Sequence, residues 1–358
     1  MHRQLTMVRR MIRCPCPILS SIRTRTRVRT FFSISLASLF NPGGLTVSTA
    51  DAYSLQHNNN NNDVRACVTA DAAEDQWTQI AKRIADELKL PFLSLDVEID
   101  DSFEFSHILD VVTYGDTYAL GIRSMPDMSS TTTSAKRRHP QRLRRTAGSP
   151  SPHIVDFLPS QDSRIAKRVK AGGDMLIKAV APNKVPGGAR VLDLTAGFGQ
   201  DSLLILENGA SAVHMVERDP VVACLLQDAL RRRHMAKNDS IDRLSLSVGN
   251  GVDIVKSLSD AVDVCYLDPM FPPRTKSAAV KKNMQILHSL LESQQQQQQQ
   301  QLDDQAELLE SALLVARSRV VVKRPIHSPP LGSGVAPKPS FDVCGSVNRF
   351  DVYLTKSG

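Results

Sequence analysis

Residues 191–201 read VLDLTAGFGQD, and the fold follows from how that stretch is read. VLDL has the length and apolarity of a short buried strand, Gly197 and Gly199 permit a tight turn after it, and DSLLILEN (201–208) reads as a helix. Strand, glycine turn and helix is the opening of a βαβ unit, and the pattern then repeats. VHMVE (213–217) reads as a second strand and PVVACLLQDALRRR (220–233) as a second helix with Pro220 in its first turn. LSLSV (244–248), VDVCYLD (262–268) and RVVVK (319–323) follow as strands, with room for a crossover helix between them. The alternation predicts a doubly wound, mostly parallel α/β sheet of Rossmann-like type over residues 151–358, with its ligand at the carboxyl ends of the strands. RFDVYL (349–354) is expected to close the sheet as an antiparallel edge strand.

The turn after the first strand is a nucleotide-binding element. Asp193 ends the strand, and Gly197 and Gly199 let the main chain approach a ligand without a Cβ in the way. By itself a GxG turn fits dinucleotides as well as S-adenosylmethionine (SAM). Two features favour SAM. Ser202 stands where a dinucleotide fingerprint has its third glycine, and Asp201 puts an acid at a helix start, where a pyrophosphate would be repelled and a cationic methionine end would not. Glu217 ends the second strand, where a carboxylate can accept two ribose hydroxyls. Asn250 and Gly251, in the loop VGNGVDI, fall beside the expected adenine, or else form only a turn.

VCYLDPMFPP (264–273) places Asp268, Pro269, Met270 and Phe271 at the end of the fourth strand, where amino-methyltransferases carry an acid-Pro-x-aromatic motif. The exocyclic amine of a base is a poor nucleophile because its lone pair is delocalised, yet it needs no strong base. A carboxylate oxygen and a main-chain carbonyl holding its two hydrogens aim that lone pair at a methyl donor. Asp268 and the carbonyl of Pro269 fit those roles, and Phe271 can stack on an extruded base. Arg274, Lys276, Lys281, Lys282, Lys323 and Arg324 are candidate contacts to RNA phosphates.

The rest of the chain frames this domain. The net charge of +7 resides in segments of unlike character: residues 1–50 hold eight arginines and no acid, whereas residues 51–123 hold 14 acidic and 5 basic residues. Overall charge is therefore poor evidence for nucleic-acid binding. The acid-free, Arg- and Ser-rich first 50 residues have the composition of a mitochondrial or plastid transit peptide, with the cytoplasm as the alternative location. Residues 51–63 are an Asn-rich linker. Residues 64–123 form a small α+β domain, with DQWTQIAKRIADEL (75–88) as its helix and LSLDVEI (93–99), HILDVVT (107–113) and YALGIR (118–123) as its strands. Residues 124–150 are a basic linker, and the Gln tract at 293–301 is a surface excursion. The six cysteines are too scattered for a zinc site or a disulfide framework, and no apolar run is long enough to span a membrane.

TAGFGQD, MVERDPVVACLLQDAL, YLDPMFPPRTKSAAVKK, VVVKRP and RFDVY, in this order, resemble the ribosomal small-subunit methyltransferase J family. The resemblance covers 151–358 well and 64–123 more loosely. It implies a SAM-dependent enzyme that methylates a guanine N2 near the 3′ end of small-subunit ribosomal RNA, with that RNA or the assembling subunit as partner; a monomer without a metal is expected. It carries cofactor contacts onto Gln200 and Asp201 (Arg-Asp is usual), Glu217 and Arg218, Asn250 and Gly251 (Ser-Ser is usual), and Asp268. The first 50 residues, the 124–150 segment and the Gln tract have no family counterpart, which suggests a eukaryotic, organelle-directed member. Other readings are an amino-methyltransferase acting on adenine or a protein amide, a non-catalytic ribosome-assembly factor, and a nicotinamide oxidoreductase.

Overall fold

A computed structural model describes residues 66–70, 75–95, 97–99, 105–125, 141–142, 151–158, 164–236, 243–269, 286–287, 290, 298–331 and 337–355. The transit-peptide and Asn-linker readings lie outside them, as do Phe271, Arg274, Lys276, Lys281 and Lys282.

The larger sheet has seven strands. β7 (Arg190–Asp193), β8 (Ala212–Glu217), β9 (Leu244–Val248), β10 (Val262–Leu267) and β11 (Ala316–Pro325) are mutually parallel, and β13 (Asn348–Leu354) pairs antiparallel with both β11 and β12 (Phe341–Cys344). Their order is β12-β13-β11-β10-β7-β8-β9, so the chain reverses direction across the sheet between β7 and β10. A crevice opens at such a reversal, outside the carboxyl ends of the strands. β13 is not the edge expected for RFDVYL: it lies between β11 and β12, and Phe341–Cys344 form the border. FDVC is too short and too interrupted by polar residues to show as a strand until β13 supplies a partner.

The smaller sheet runs β1-β3-β4-β6, from β1 (Ala66–Ala70), β3 (His107–Tyr114), β4 (Thr117–Ser124) and β6 (His153–Ile154). Helix α1 (Asp75–Leu88) buries Trp77, Ala81, Ile84 and Ala85, which recur at three- to four-residue intervals as a helical face requires. The segment 93–99 is not the expected seven-residue strand. Only Glu98–Ile99 (β2) pair, and they pair with Gln141–Arg142 (β5), inside the stretch read as a linker. Leu93, Leu95 and Val97 instead cover the face of the small sheet formed by Cys67, Phe105 and Ile108, so their alternation reports burial and not pairing. β6, too, crosses the expected boundary at 150, because it adds to the small sheet.

The two sheets share one core. Helix α5 (Pro220–Ala236) lies between them, and residues of α1, β1, β3 and β4 join those of β7, β8 and α5 in one continuous apolar cluster. Asp228, fully buried on α5, accepts the Leu120 amide of β4 at 2.9 Å, Arg232 Nε at 2.9 Å and Arg231 Nη2 at 2.8 Å. Arg231 also lies 4.0 Å over the Tyr118 ring. On the opposite face of the large sheet packs α7 (Gln298–Val315), whose first turn takes in Gln298–Gln301 of the tract read as an excursion. Among the described residues no helix is long and apolar enough to cross a membrane.

Candidate active site

The carboxyl ends of β7, β8 and β10 bring acidic side chains to one edge, and that of β11 brings Lys323. The turn after β7 is built first by hydrogen bonds. Asp193 Oδ1 accepts the Thr195 amide at 3.1 Å, and Oδ2 accepts the Ser202 hydroxyl of α4 (Gln200–Glu207). Both oxygens are used inside the turn and only 1% of the residue is exposed. Asp193, expected to touch cofactor, therefore holds the glycine turn in shape. Burial pushes its carboxyl up to about 7, against the opposing pull of the Ser202 and Thr195 donors.

The two glycines do different jobs. Gly199 has φ +67°, and a Cβ there would come within 2.6 Å of the Phe157 ring and 3.1 Å of Leu226. Its missing side chain serves the backbone and the packing of α4. Gly197, at φ +53°, would bring a Cβ to 3.4 Å from Leu287, an ordinary contact, so here glycine serves the left-handed backbone. Its amide donates to Glu217 Oε2 at 2.9 Å, and the Asp219 amide donates to Oε1 at 2.8 Å. Glu217 is thus aimed by two main-chain donors at the end of β8. Burial raises its carboxyl to about 7, which its amide partners and Arg218 oppose. Asp219 caps α5, accepting Val221 N at 2.9 Å and Val222 N at 3.0 Å.

Asp268 follows β10, and its amide donates to Thr195 Oγ1 at 2.6 Å, which ties the fourth strand end to the glycine turn. Lys323 of β11 reaches both Asp268 Oδ2, at 2.7 Å, and Asp201 Oδ2, at 2.9 Å. Asp201 also accepts the Tyr266 hydroxyl at 2.8 Å and Arg168 Nη1 at 3.4 Å, the latter from α2 (Arg164–Ala171). Burial would raise the Asp201 carboxyl, but the Lys323 ammonium and the Tyr266 and Arg168 donors outweigh it and hold it below the ordinary value. Arg168 Nε binds Asp174 at 2.8 Å, and Asp174 caps α3 (Met175–Val180) through the Leu176 amide.

The donor set fits SAM. Glu217, held by two main-chain donors, offers a fixed acceptor for ribose hydroxyls, and the acids Asp201 and Asp268 suit a cationic methionine end. Asp201 does not discriminate against pyrophosphate by its charge alone, however, because Lys323 and Arg168 balance it.

A family model for SAM-dependent methyltransferases, SAM_MT, matches residues 125–355. Bacterial proteins named ribosomal RNA small subunit methyltransferase J are similar over most of their length. That of Coxiella burnetii is 35% identical over 278 residues, spanning 77% of this chain and 92% of its own. The chain belongs to the ribosomal RNA small subunit methyltransferase J family. The J protein of Pseudoalteromonas atlantica is 41% identical over 211 residues, 56% of this chain and 76% of its own. A crystal structure of a SAM-dependent methyltransferase from Neisseria gonorrhoeae superposes with a TM-score of 0.51 at 26% identity, over 81% of this chain and 96% of that one.

The J-family positions are brought together unevenly. Asp201, Glu217 and Asp268 gather at the crevice, while Gln200 is half-buried in the first turn of α4 and Arg218 is exposed. Asn250 Oδ1 accepts the Val252 amide at 2.8 Å and so caps α6 (Gly251–Ser257), which gives Asn250 the turn role. Gly251 is needed for packing, because a Cβ there would meet Leu308 of α7 at 2.7 Å. Two expected phosphate contacts are corrected. Lys323 is committed to the carboxylates of Asp201 and Asp268. Arg324 is 5% exposed, and its Nε and Nη2 donate to the Pro329 carbonyl at 3.0 and 2.7 Å. Alternation along β11 sends these neighbours to opposite faces, and neither face is open solvent.

Sequence reading missed Tyr266, Thr195 and Arg168. Tyr266 was within reach: it stands two residues before Asp268 and points to the same face of the strand. Nothing local marked Arg168, whose partner Asp201 is 33 residues away.

Proposed function

We propose that this J-family methyltransferase transfers the methyl group of SAM to the exocyclic N2 of a guanine in small-subunit ribosomal RNA. The observation that carries the reading is the junction of Glu217 and Asp268 at the strand reversal, joined through Thr195 and the glycine turn. The names of the bacterial relatives support the RNA substrate, and the DPMF motif supports an amine as acceptor.

SAM supplies an electrophilic methyl group on a sulfonium. The chain supplies orientation. Glu217, fixed by the Gly197 and Asp219 amides, receives the ribose hydroxyls, and Asp268 and the Pro269 carbonyl receive the two hydrogens of the amine. Held so, the nitrogen presents its lone pair, and Phe271 stacks on the base. The purified protein, given methyl-labelled SAM and either small-subunit RNA or small subunits, should yield labelled N2-methylguanosine on nucleoside mass spectrometry. Label on adenine or on protein would replace the guanine reading, and no transfer to any acceptor would end the enzymatic one. Phe271→Ala should cut catalytic efficiency by roughly 5- to 150-fold, the equivalent of about 1–3 kcal/mol of stacking, with SAM affinity nearly intact.

A further inference from the structure

One cation sits between the two acids that the reaction needs. Lys323 Nζ lies 2.7 Å from Asp268 Oδ2 and 2.9 Å from Asp201 Oδ2, with its side chain only 23% exposed. It comes from β11, next to β10 in the sheet, so its backbone is held by the ladder and its reach is fixed. The Asp201 carboxylate has further anchors in the Tyr266 hydroxyl and Arg168, while the backbone of Asp268 is tied through its amide to Thr195. Among the described residues, charged and titratable groups facing Asp268 include Lys323 from β11, Asp201 from α4, Tyr266 from β10 and Asp193 from β7. Lys323 supplies a cation that bridges two of these acids.

We infer that Lys323 is a positioning residue, whose ammonium fixes the Asp268 carboxylate for the target amine and sets its separation from the cofactor-side Asp201. Without that ammonium the two acids would repel each other more strongly across the crevice, and the Asp268 carboxylate would lose a cation that aims it. Its own high affinity for a proton, raised by Asp268 and Asp201 against the effect of burial, is the reciprocal of the same attraction. The inference rests on the amine-orienting role proposed above for Asp268.

The test compares wild type, Lys323→Met and Lys323→Arg, with melting temperature as the check on folding. For Lys323→Met, kcat should fall on the order of 100-fold, the effect of a misplaced reacting group, while KM for RNA changes little. The acidic limb of its kcat–pH profile should move to higher pH. Lys323→Arg should recover a substantial part of kcat and restore the limb. Carbon-13 NMR of the Asp side chains in cofactor-free protein should show the Asp268 carboxyl titrating at higher pH in Lys323→Met, a readout independent of turnover. An unmoved pH limb and an unmoved NMR titration would overturn the inference. So would a defect confined to KM and to the salt dependence of RNA binding, which would restore a phosphate contact. If Lys323→Met fails to fold, the arginine variant decides: a wild-type pH limb with retained kcat supports the inference, and a complete loss of kcat in a folded protein overturns it. Failure of the methyltransferase reading would look different, since wild type itself would then transfer no methyl group.

Discussion

Replacing Asp193 by Asn tests whether the carboxylate at the end of β7 is a structural group under electrostatic load. Asn keeps the shape and the main bonds. Its Oδ1 can accept the Thr195 amide, and its Nδ2 can donate to Ser202, whose hydroxyl turns to suit. What changes is the charge. Burial raises the Asp193 carboxyl from 3.8 to about 7, and at about 1.4 kcal/mol per unit this corresponds to on the order of 4 kcal/mol. The sign follows from proton linkage. Between pH 4 and 7 the unfolded chain has released this proton while the folded chain retains it, so native stability falls as pH rises through that window. Asp193 costs nothing below about pH 4, and its full cost is present above about pH 7. Urea unfolding at pH 4 to 8 should therefore show wild type losing on the order of 4 kcal/mol relative to Asp193→Asn as pH rises. Glu217, also raised to about 7, titrates in both proteins and cancels in the difference. A difference that does not vary with pH would refute the claim that Asp193 is buried as a strained acid.

Two further substitutions probe the framework by equilibrium unfolding. Gly199→Ala should cost about 2–4 kcal/mol, because it combines a left-handed backbone with a 2.6 Å approach to Phe157. Gly197→Ala should cost less, since its Cβ meets only Leu287 at 3.4 Å; equal losses would contradict the separate roles given to the two glycines. Asp228→Ala should cost about 3–5 kcal/mol by removing the buried carboxylate that accepts from Arg231, Arg232 and the Leu120 amide. A loss under 1 kcal/mol would mean that the Asp228 carboxylate does not hold the two sheets together.

Local pattern determined much of this protein. The strands of the large sheet other than β12, helices α4 and α5, the turn at TAGFG and the acid at the end of β8 were legible, because strand and helix periods, glycine turns and strand-end acids are written in neighbouring residues. The five ordered motifs likewise pointed to the family. What only the tertiary structure decided is which side chains meet across the sheet. Lys323 and Arg324 are adjacent cations in the sequence, and composition marks both as surface charges. Register on β11 turns one onto Asp201 and Asp268 and the other onto the Pro329 carbonyl. β12 needed β13 before FDVC became a strand, and Asp193 needed Ser202 before it was part of the turn and not a ligand contact. In each case the deciding energy is an ion pair, a hydrogen bond or a ladder between residues distant in the chain. Such contacts exist only once the sheet has brought the partners together, and nothing in the residues beside either partner announces them.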